Sequence, residues 1–303
     1  MKCASAILHG KTWLAYSRHP GLDPGSHERM TQRKRYINIL YKTILTIAAG
    51  LAGALAARAQ FADCSTGLLQ MPTAEMQEDG TFMATTNFLN KHSLPWSGWT
   101  YNTIQYGVYV SFWGRVELGY VCTIFNDHWQ GSQSRPGIWM INQDRHFTGR
   151  VCLLREGDFG LKWLPALVIG ISDPVTGGAT DYFERGKVSG LNNGYFNRNF
   201  IVLSKHFLTP WGAVGAHAGY QLNWREDYFI NAPCVGVNWH PVWLQQKGIL
   251  DDLNVMAEFD SRTVNLGFVA SIWKNHFEAM FELQNFQWIN FGLRYKLRIK
   301  KAI

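Results

Sequence analysis

The 303 residues are 47% hydrophobic, 14% aromatic and 17% charged, which excludes a disordered chain or a coiled coil and is enough apolar material for one large domain. The formal charge of +7 resides in residues 1–59, where nine Lys and Arg face two acids. Residues 60–303 balance 20 bases against 20 acids and offer no global basic field for nucleic acid.

In chain order, Arg33, Lys34, Arg35 and Lys42 precede an uncharged run of 15 residues, 43–57, containing Ile44, Leu45, Ile47, Leu51 and Leu55. A membrane-spanning helix needs about 20 apolar residues. This run is shorter and ends in Ala57-Arg58-Ala59, an A-x-A cleavage pattern. Residues 30–59 therefore read as a cleaved signal peptide, with Met30 the better start and Gln60 the first mature residue. Residues 1–29, rich in Gly, Pro and His and without periodicity, read as a mis-called or disordered extension. Residues 60–80 read as a periplasmic N-terminal segment. An oxidising compartment allows Cys64, Cys122, Cys152 and Cys234 one bridge of unspecified partners. Cys122 falls on the apolar face of its strand and Cys152 on the opposite face of the next, which argues against a full disulfide framework.

Beyond residue 60 no run of 18 uncharged apolar residues occurs, and the segments alternate instead. Strands are expected near residues 81–89, 102–112, 116–125, 145–155, 165–172, 196–206, 213–222 and 233–240, followed by four whose period of two is plain. Leu253, Val255, Ala257 and Phe259 oppose Asn254, Met256, Glu258 and Asp260. Val264, Leu266, Phe268, Ala270 and Ile272 oppose Asn265, Gly267 and Ser271. Phe277, Ala279, Phe281 and Leu283 oppose Glu278, Glu282 and Gln284, and Ile289, Phe291, Leu293, Tyr295 and Leu297 oppose Asn290, Gly292, Arg294, Lys296 and Arg298. Two- to three-residue connections join these last strands, as antiparallel hairpins require.

Twelve strands, each with one apolar face, predict an all-β fold: an antiparallel transmembrane β-barrel over residues 81–298 with a short tail, 299–303. Trp96, Trp99, Trp113, Trp129, Trp211, Trp239, Trp243, Trp273 and Trp288 lie near strand ends, where interfacial girdles belong. With both termini in the periplasm, the long connections 126–144 and 173–195 face outward. The segments 156–164 and 241–252 are long for inner turns, so either the count is off by a hairpin or they project into the periplasm. A secreted β-sandwich alternates similarly but would carry Lys, Glu and Thr where these segments have Gly, Asn and aromatics.

The segment Gly67-Leu68-Leu69-Gln70-Met71-Pro72-Thr73-Ala74, followed by Asp79-Gly80, combines a proline that forbids helix with a turn that launches the first strand. It resembles the opening of the YjbH-type outer-membrane proteins of exopolysaccharide and capsule operons. Arg150-x-x-Leu153-Leu154-Arg155-Glu156, Pro165-Ala166-Leu167-x-x-Gly170-x-x-Asp173, Ser204-Lys205, Ala257-Glu258-Phe259-Asp260 and Asn265-Leu266-Gly267 resemble later signatures of that family, in order. Larger members resemble two barrels in tandem, whereas this chain has room for one. The ending Asn290-x-Gly292-x-x-Tyr295-x-Leu297 resembles the signal by which outer-membrane barrels are recognised for assembly. The resemblance implies a Gram-negative outer-membrane protein that supports biosynthesis, secretion or assembly of a polysaccharide. Its implied partners are membrane lipid, the barrel-assembly machinery, a polysaccharide and periplasmic or lipoprotein components, with no nucleic acid.

Alternation places Arg150, Glu156, Glu258, Asp260, Glu278, Glu282, Arg294 and Lys296 on the inward face, where they either line a conduit or pair across a narrow barrel. The rival class is a lipid-modifying barrel enzyme, for which Ser204 with His206 is the candidate pair, and a small-solute porin is a further alternative. Ser204 and His206 share one strand face without an evident acid partner. Neither metal-ligand spacing nor a Gly-rich phosphate loop is present. The expectation is therefore a non-catalytic protein without cofactor or metal. In the outer loop, Asp181-Tyr182-Phe183-Glu184 with Tyr195 and Phe196 either stacks sugars or marks the membrane edge. N-terminal sequencing of the protein from the membrane fraction is expected to read Gln60 first; a start upstream of residue 43 would overturn the leader.

Overall fold

The computed structural model describes residues 63–94, 101–125, 142–174, 196–223, 230–245 and 248–299, all within the compact unit Ala54–Ile303. The expected leader 30–59, the extension 1–29, the tail beyond Ile299 and the outer-loop residues Asp181 to Tyr195 lie outside the described residues. Twelve strands are described: β1 (Thr81–Leu89), β2 (Thr103–Phe112), β3 (Val116–Phe125), β4 (Asn142–Leu154), β5 (Ala166–Ser172), β6 (Arg198–Thr209), β7 (Gly212–Asn223), β8 (Ile230–Pro241), β9 (Leu250–Phe259), β10 (Val264–Ile272), β11 (Phe277–Gln284) and β12 (Trp288–Arg298). Each pairs antiparallel with its sequence neighbours, and β1 closes on β12 through eight register pairs from Thr81↔Arg298 to Phe88↔Phe291. Closure satisfies the edge N–H and C=O groups that hydrocarbon cannot.

The wall follows the period of two. In β2, Thr103, Gln105, Gly107, Tyr109 and Ser111 are buried inward, while Ile104, Tyr106, Val108 and Phe112 are exposed outward. β12 repeats this, with Asn290, Gly292, Arg294 and Lys296 buried and Ile289, Phe291, Leu293 and Leu297 exposed. Apolar residues on the outer face and polar residues inside reverse the pattern of a water-soluble sandwich. Across strands the outer aromatics pack on one another: Phe268 stacks on Phe281 at 5.6 Å between ring centroids, and Phe88 on Phe291 at 4.8 Å.

We call the end where β1 begins and β12 finishes the base, and the opposite end the rim. Base connections at Trp113–Gly114 and Trp273–Asn275 are tight, and their left-handed backbone matches the twist of the paired strands. Among the described residues the two long base connections contain 3-10 turns, Asp158–Gly160 and Val242–Leu244, and no further strand, so the count of twelve stands. Trp113, Trp163, Trp211, Trp243 and Trp273 are exposed around the base, the arrangement of an interfacial belt.

The register makes a depth-dependent expectation. Phe268→Arg or Phe291→Arg, on the outer face between the ends, should cost about 2–4 kcal/mol, whereas Trp273→Arg at the base should cost about 1 kcal/mol or less. Urea titration of the protein folded into liposomes measures both. Equal penalties would refute the assigned depths.

Candidate functional site: a lumen filled by the N-terminal segment

Residues 63–77 run inside the barrel. The expected periplasmic placement of 60–80 is corrected for this stretch, because its apolar side chains and its backbone groups both find partners on the lumen wall. Locally the segment folds on itself: Gly67 bridges Pro72, and the Leu68 N–H donates to the Met71 carbonyl at 3.0 Å. Leu68, Leu69 and Met71 are fully buried and join Met256, Val269 and Met280 of the wall in one apolar cluster. They sit where the wall has no side chain. A Cβ at Gly236 would lie 2.4 Å from Leu68 Cδ1, and one at Gly267 would lie 2.7 Å from Leu69 Cδ2. The lumen is therefore part apolar, not uniformly polar.

Charged wall residues hold the backbone of this segment. The Glu258 carboxylate accepts from the N–H groups of Leu69, Gln70 and Met71 at 2.9, 2.6 and 3.3 Å. Glu282 accepts from the side-chain amides of Gln70 and Asn290, both at 2.7 Å. Arg150 serves the opposite need and donates to the carbonyls of Thr66, Thr73 and Glu75. Arg198 donates to the Gln70 carbonyl at 2.7 Å and Arg294 to that of Ser65 at 3.1 Å. Glu117 accepts from the Gln77 N–H at 2.5 Å, Ser204 Oγ from the Ala74 N–H at 2.7 Å, and the Asp63 carbonyl from Tyr109. Hydrogen bonds to charged groups are worth about 1.5–3 kcal/mol, and a buried group left without one costs about as much.

Of the eight residues expected inward, Arg150, Glu258, Glu278, Glu282, Arg294 and Lys296 are buried in the lumen. Charges pair at Glu278, which meets Arg294 at 3.4 Å and Lys296 at 2.5 Å, but on the adjacent strand β12 and not across the barrel. Glu156 and Asp260 are corrections, because alternation ends where the strand does. β4 shifts register between Cys152 and Leu154 and stops there, leaving Glu156 half-exposed in the base connection, bound to Lys205 at 2.6 Å and to His206 at 2.9 Å. Asp260 follows the last residue of β9 and caps the rim turn, accepting from the N–H groups of Arg262 and Thr263 at 2.9 and 2.7 Å.

The motif residues divide by role. Gly67, Leu68, Pro72, Thr73 and Ala74 form the inserted turn and the start of its return limb. Asp79 and Gly80 make the launch: Asp79 accepts from the Trp113 N–H, and Gly80 has a φ of 69°. At the other terminus, Asn290 binds Ser93 and Glu282, and a Cβ at Gly292 would meet Asn87 Oδ1 at 2.2 Å. Tyr295 lies outside against Phe277 at 4.9 Å between ring centroids, and Leu297 is exposed outward. Glu117, Arg198 and Tyr109, not singled out in the sequence, share in holding the segment; only their inward parity on β3, β6 and β2 could have pointed to them.

Cys64, Cys122, Cys152 and Cys234 are all free thiols, so the possible bridge is not formed. Burial pushes the Cys64 thiol up, which leaves it a weak nucleophile. The suspected Ser204–His206 pair is also rearranged. Ser204 Oγ bonds His217 Nδ1 at 2.7 Å across the β6–β7 register, and His217 Nε2 lies 3.1 Å from Asn238 Oδ1. His206 instead bridges Glu75 and Glu156, at 2.9 Å on each ring nitrogen. Burial opposes ionisation of Glu75, but the hydrogen bond from His206 and the nearby His217 outweigh it and hold the carboxyl below its usual range. Glu156 is likewise lowered, against burial, by His206 and Lys205.

Removing the Glu258 acceptor isolates three amides at once. Glu258→Ala should lose about 2–3 kcal/mol of stability, and the amides of Leu69, Gln70 and Met71 should exchange hydrogen faster while those of β2 and β3 keep their protection. Unchanged exchange at these three amides would show that Glu258 does not hold the turn.

No curated protein matches the chain. Among solved structures, the chain is similar to the beta domain of the Bordetella autotransporter BrkA, with 14% identity over 73% of this chain and 100% of that one, at a TM-score of 0.32. The family model described as exopolysaccharide biosynthesis protein matches residues 63–300, from the inserted segment through the last strand. The chain belongs to the YjbH family.

Proposed function

We propose that the chain is an outer-membrane β-barrel of a Gram-negative bacterium that supports the biosynthesis, secretion or assembly of a surface polysaccharide without itself catalysing a reaction. In that setting the base faces the periplasm and the rim the exterior, and the outer apolar face meets lipid. Membership of an exopolysaccharide-biosynthesis family supports the polysaccharide part of the reading. The carrying observation is the filled lumen: Leu68, Leu69 and Met71 are fully buried inside the barrel, with the turn bound by Glu258 and the return limb by Arg150. A small-solute porin needs that space for water.

Against the enzyme alternative stands the setting of Ser204. A nucleophile must reach an electrophilic carbon, yet Ser204 is buried and its oxygen already accepts the Ala74 N–H while bonding His217. The arrangement matches a latch on the inserted segment better than a substrate site.

A deletion strain is expected to lose surface polysaccharide, and the purified protein to hydrolyse no lipid ester. In planar bilayers the wild-type barrel should be silent, while a variant lacking residues 63–77 should conduct. Ester hydrolysis abolished by Ser204→Ala would establish the enzyme instead. A conducting wild type, together with unaltered polysaccharide on deletion, would establish the porin.

A further inference from the structure

Five histidine- or carboxylate-bearing elements converge inside the barrel between Ala74 and the base connection. Glu75 comes from the inserted segment, His206 from β6, His217 from β7, and His240 from β8 with Asp252 of β9 behind it. One ligand atom from each of Glu75, His206 and His217 lies within 4.8 Å of those of the other two. We propose that these three residues form a binding site for a divalent transition-metal ion, zinc foremost, that staples the inserted segment to the barrel wall.

The donor set selects the class of ion. Two imidazole nitrogens and one carboxylate oxygen suit zinc and its neighbours, whereas calcium and magnesium require oxygen cages. The outer contacts argue for ligation as well. A metal-binding histidine normally has its second ring nitrogen tied to an acceptor, which fixes the ring and its tautomer. His206 Nδ1 lies 2.9 Å from Glu156 Oε2, leaving Nε2 facing Glu75 Oε1 at 2.9 Å. His217 Nδ1 lies 2.7 Å from Ser204 Oγ, which the Ala74 N–H holds in turn, leaving Nε2 beside Asn238. His240 repeats the pattern, with Nδ1 at 2.9 Å from Asp252 Oδ2 and Nε2 at 3.3 Å from Asn238 Nδ2. Rotation of the Asn238 amide would open a fourth position to His240 or to water. Three rings anchored on their outer nitrogens, with the inner ones gathered around Glu75 and Asn238, form a preorganised ligand shell.

Burial assigns the role. Glu75 and His217 are buried and the His206 side chain is 15% exposed, so the site is closed, as structural zinc sites are. Glu75 belongs to the inserted segment and both histidines to the wall, so bound metal would hold one to the other. Sequence spacing conceals the set: the ligands stand at 75, 206 and 217, and only barrel closure brings them together.

The test uses the full-length mature chain without a histidine tag, folded in detergent and stripped with chelator. Titration with Zn2+ should give one equivalent bound, and Co2+ should produce the intense visible absorption of tetrahedral nitrogen and oxygen ligation. Glu156→Gln, which touches none of the three ligands' inner atoms but loosens the outer contact of His206 along with that of Lys205, should weaken binding about 10- to 100-fold. Glu75→Gln and His217→Ala should abolish it, and His276→Ala, at a base turn, should leave it unchanged. Zn2+ should also slow hydrogen exchange in residues 63–77. Absence of stoichiometric binding by the folded wild type would overturn the proposal, as would equal binding by Glu75→Gln and His217→Ala. Should those two variants fail to fold, the wild-type titration and the Glu156→Gln shift decide it.

Discussion

Burying the backbone of residues 63–77 is the constraint on which the lumen depends. Amides and carbonyls withdrawn from water must be matched, and here the wall supplies much of the matching. Glu258 answers three amides of the turn, and Arg150 answers three carbonyls of the segment. Each group is in turn bonded by the dipoles around it, which offsets part of the cost of burying a carboxyl and a guanidinium in one site. The lumen charges are therefore neither purely a conduit lining nor purely a set of cross-barrel pairs.

The rest of the interior adapts to the same guest. Twelve strands enclose more space than the filled eight-stranded barrels and less than the water-filled porins. The chain occupies it with its own turn. Leu68, Leu69 and Met71 need apolar seats, which the wall provides by omission at Gly236 and Gly267 and by Met256, Val269 and Met280 around them. This interior combines a soluble domain's apolar cluster with a membrane barrel's polar wall. On the base side, His206 is where three parts of the chain meet: the wall, the connection carrying Glu156 and the inserted Glu75.

The wall was legible because the apolar outer face and the polar lumen make opposite demands on successive residues. Phe268 and Asn265, or Phe291 and Asn290, could be assigned to their faces by parity alone, and all twelve strands follow from that rule. Strand ends were less legible. β4 starts at Asn142 and β6 runs on to Thr209, beyond the alternation that could be recognised, and Glu156 and Asp260 were carried inward by extending a parity that stops with the strand.

Order along the chain and the two faces of each strand were thus determined by the amino-acid sequence, since both depend on neighbours one or two residues apart. The inserted segment was decided only by the tertiary structure. Gly67 to Ala74 carries no periodicity, and its turn chemistry reads equally well in a periplasmic stretch. What holds it inside is an acceptor 187 to 189 residues away at Glu258 and a donor 75 to 84 residues away at Arg150. Such pairings exist only once the barrel has closed, because closure brings β4, β6 and β9 around one space and removes from water the groups that must bond there.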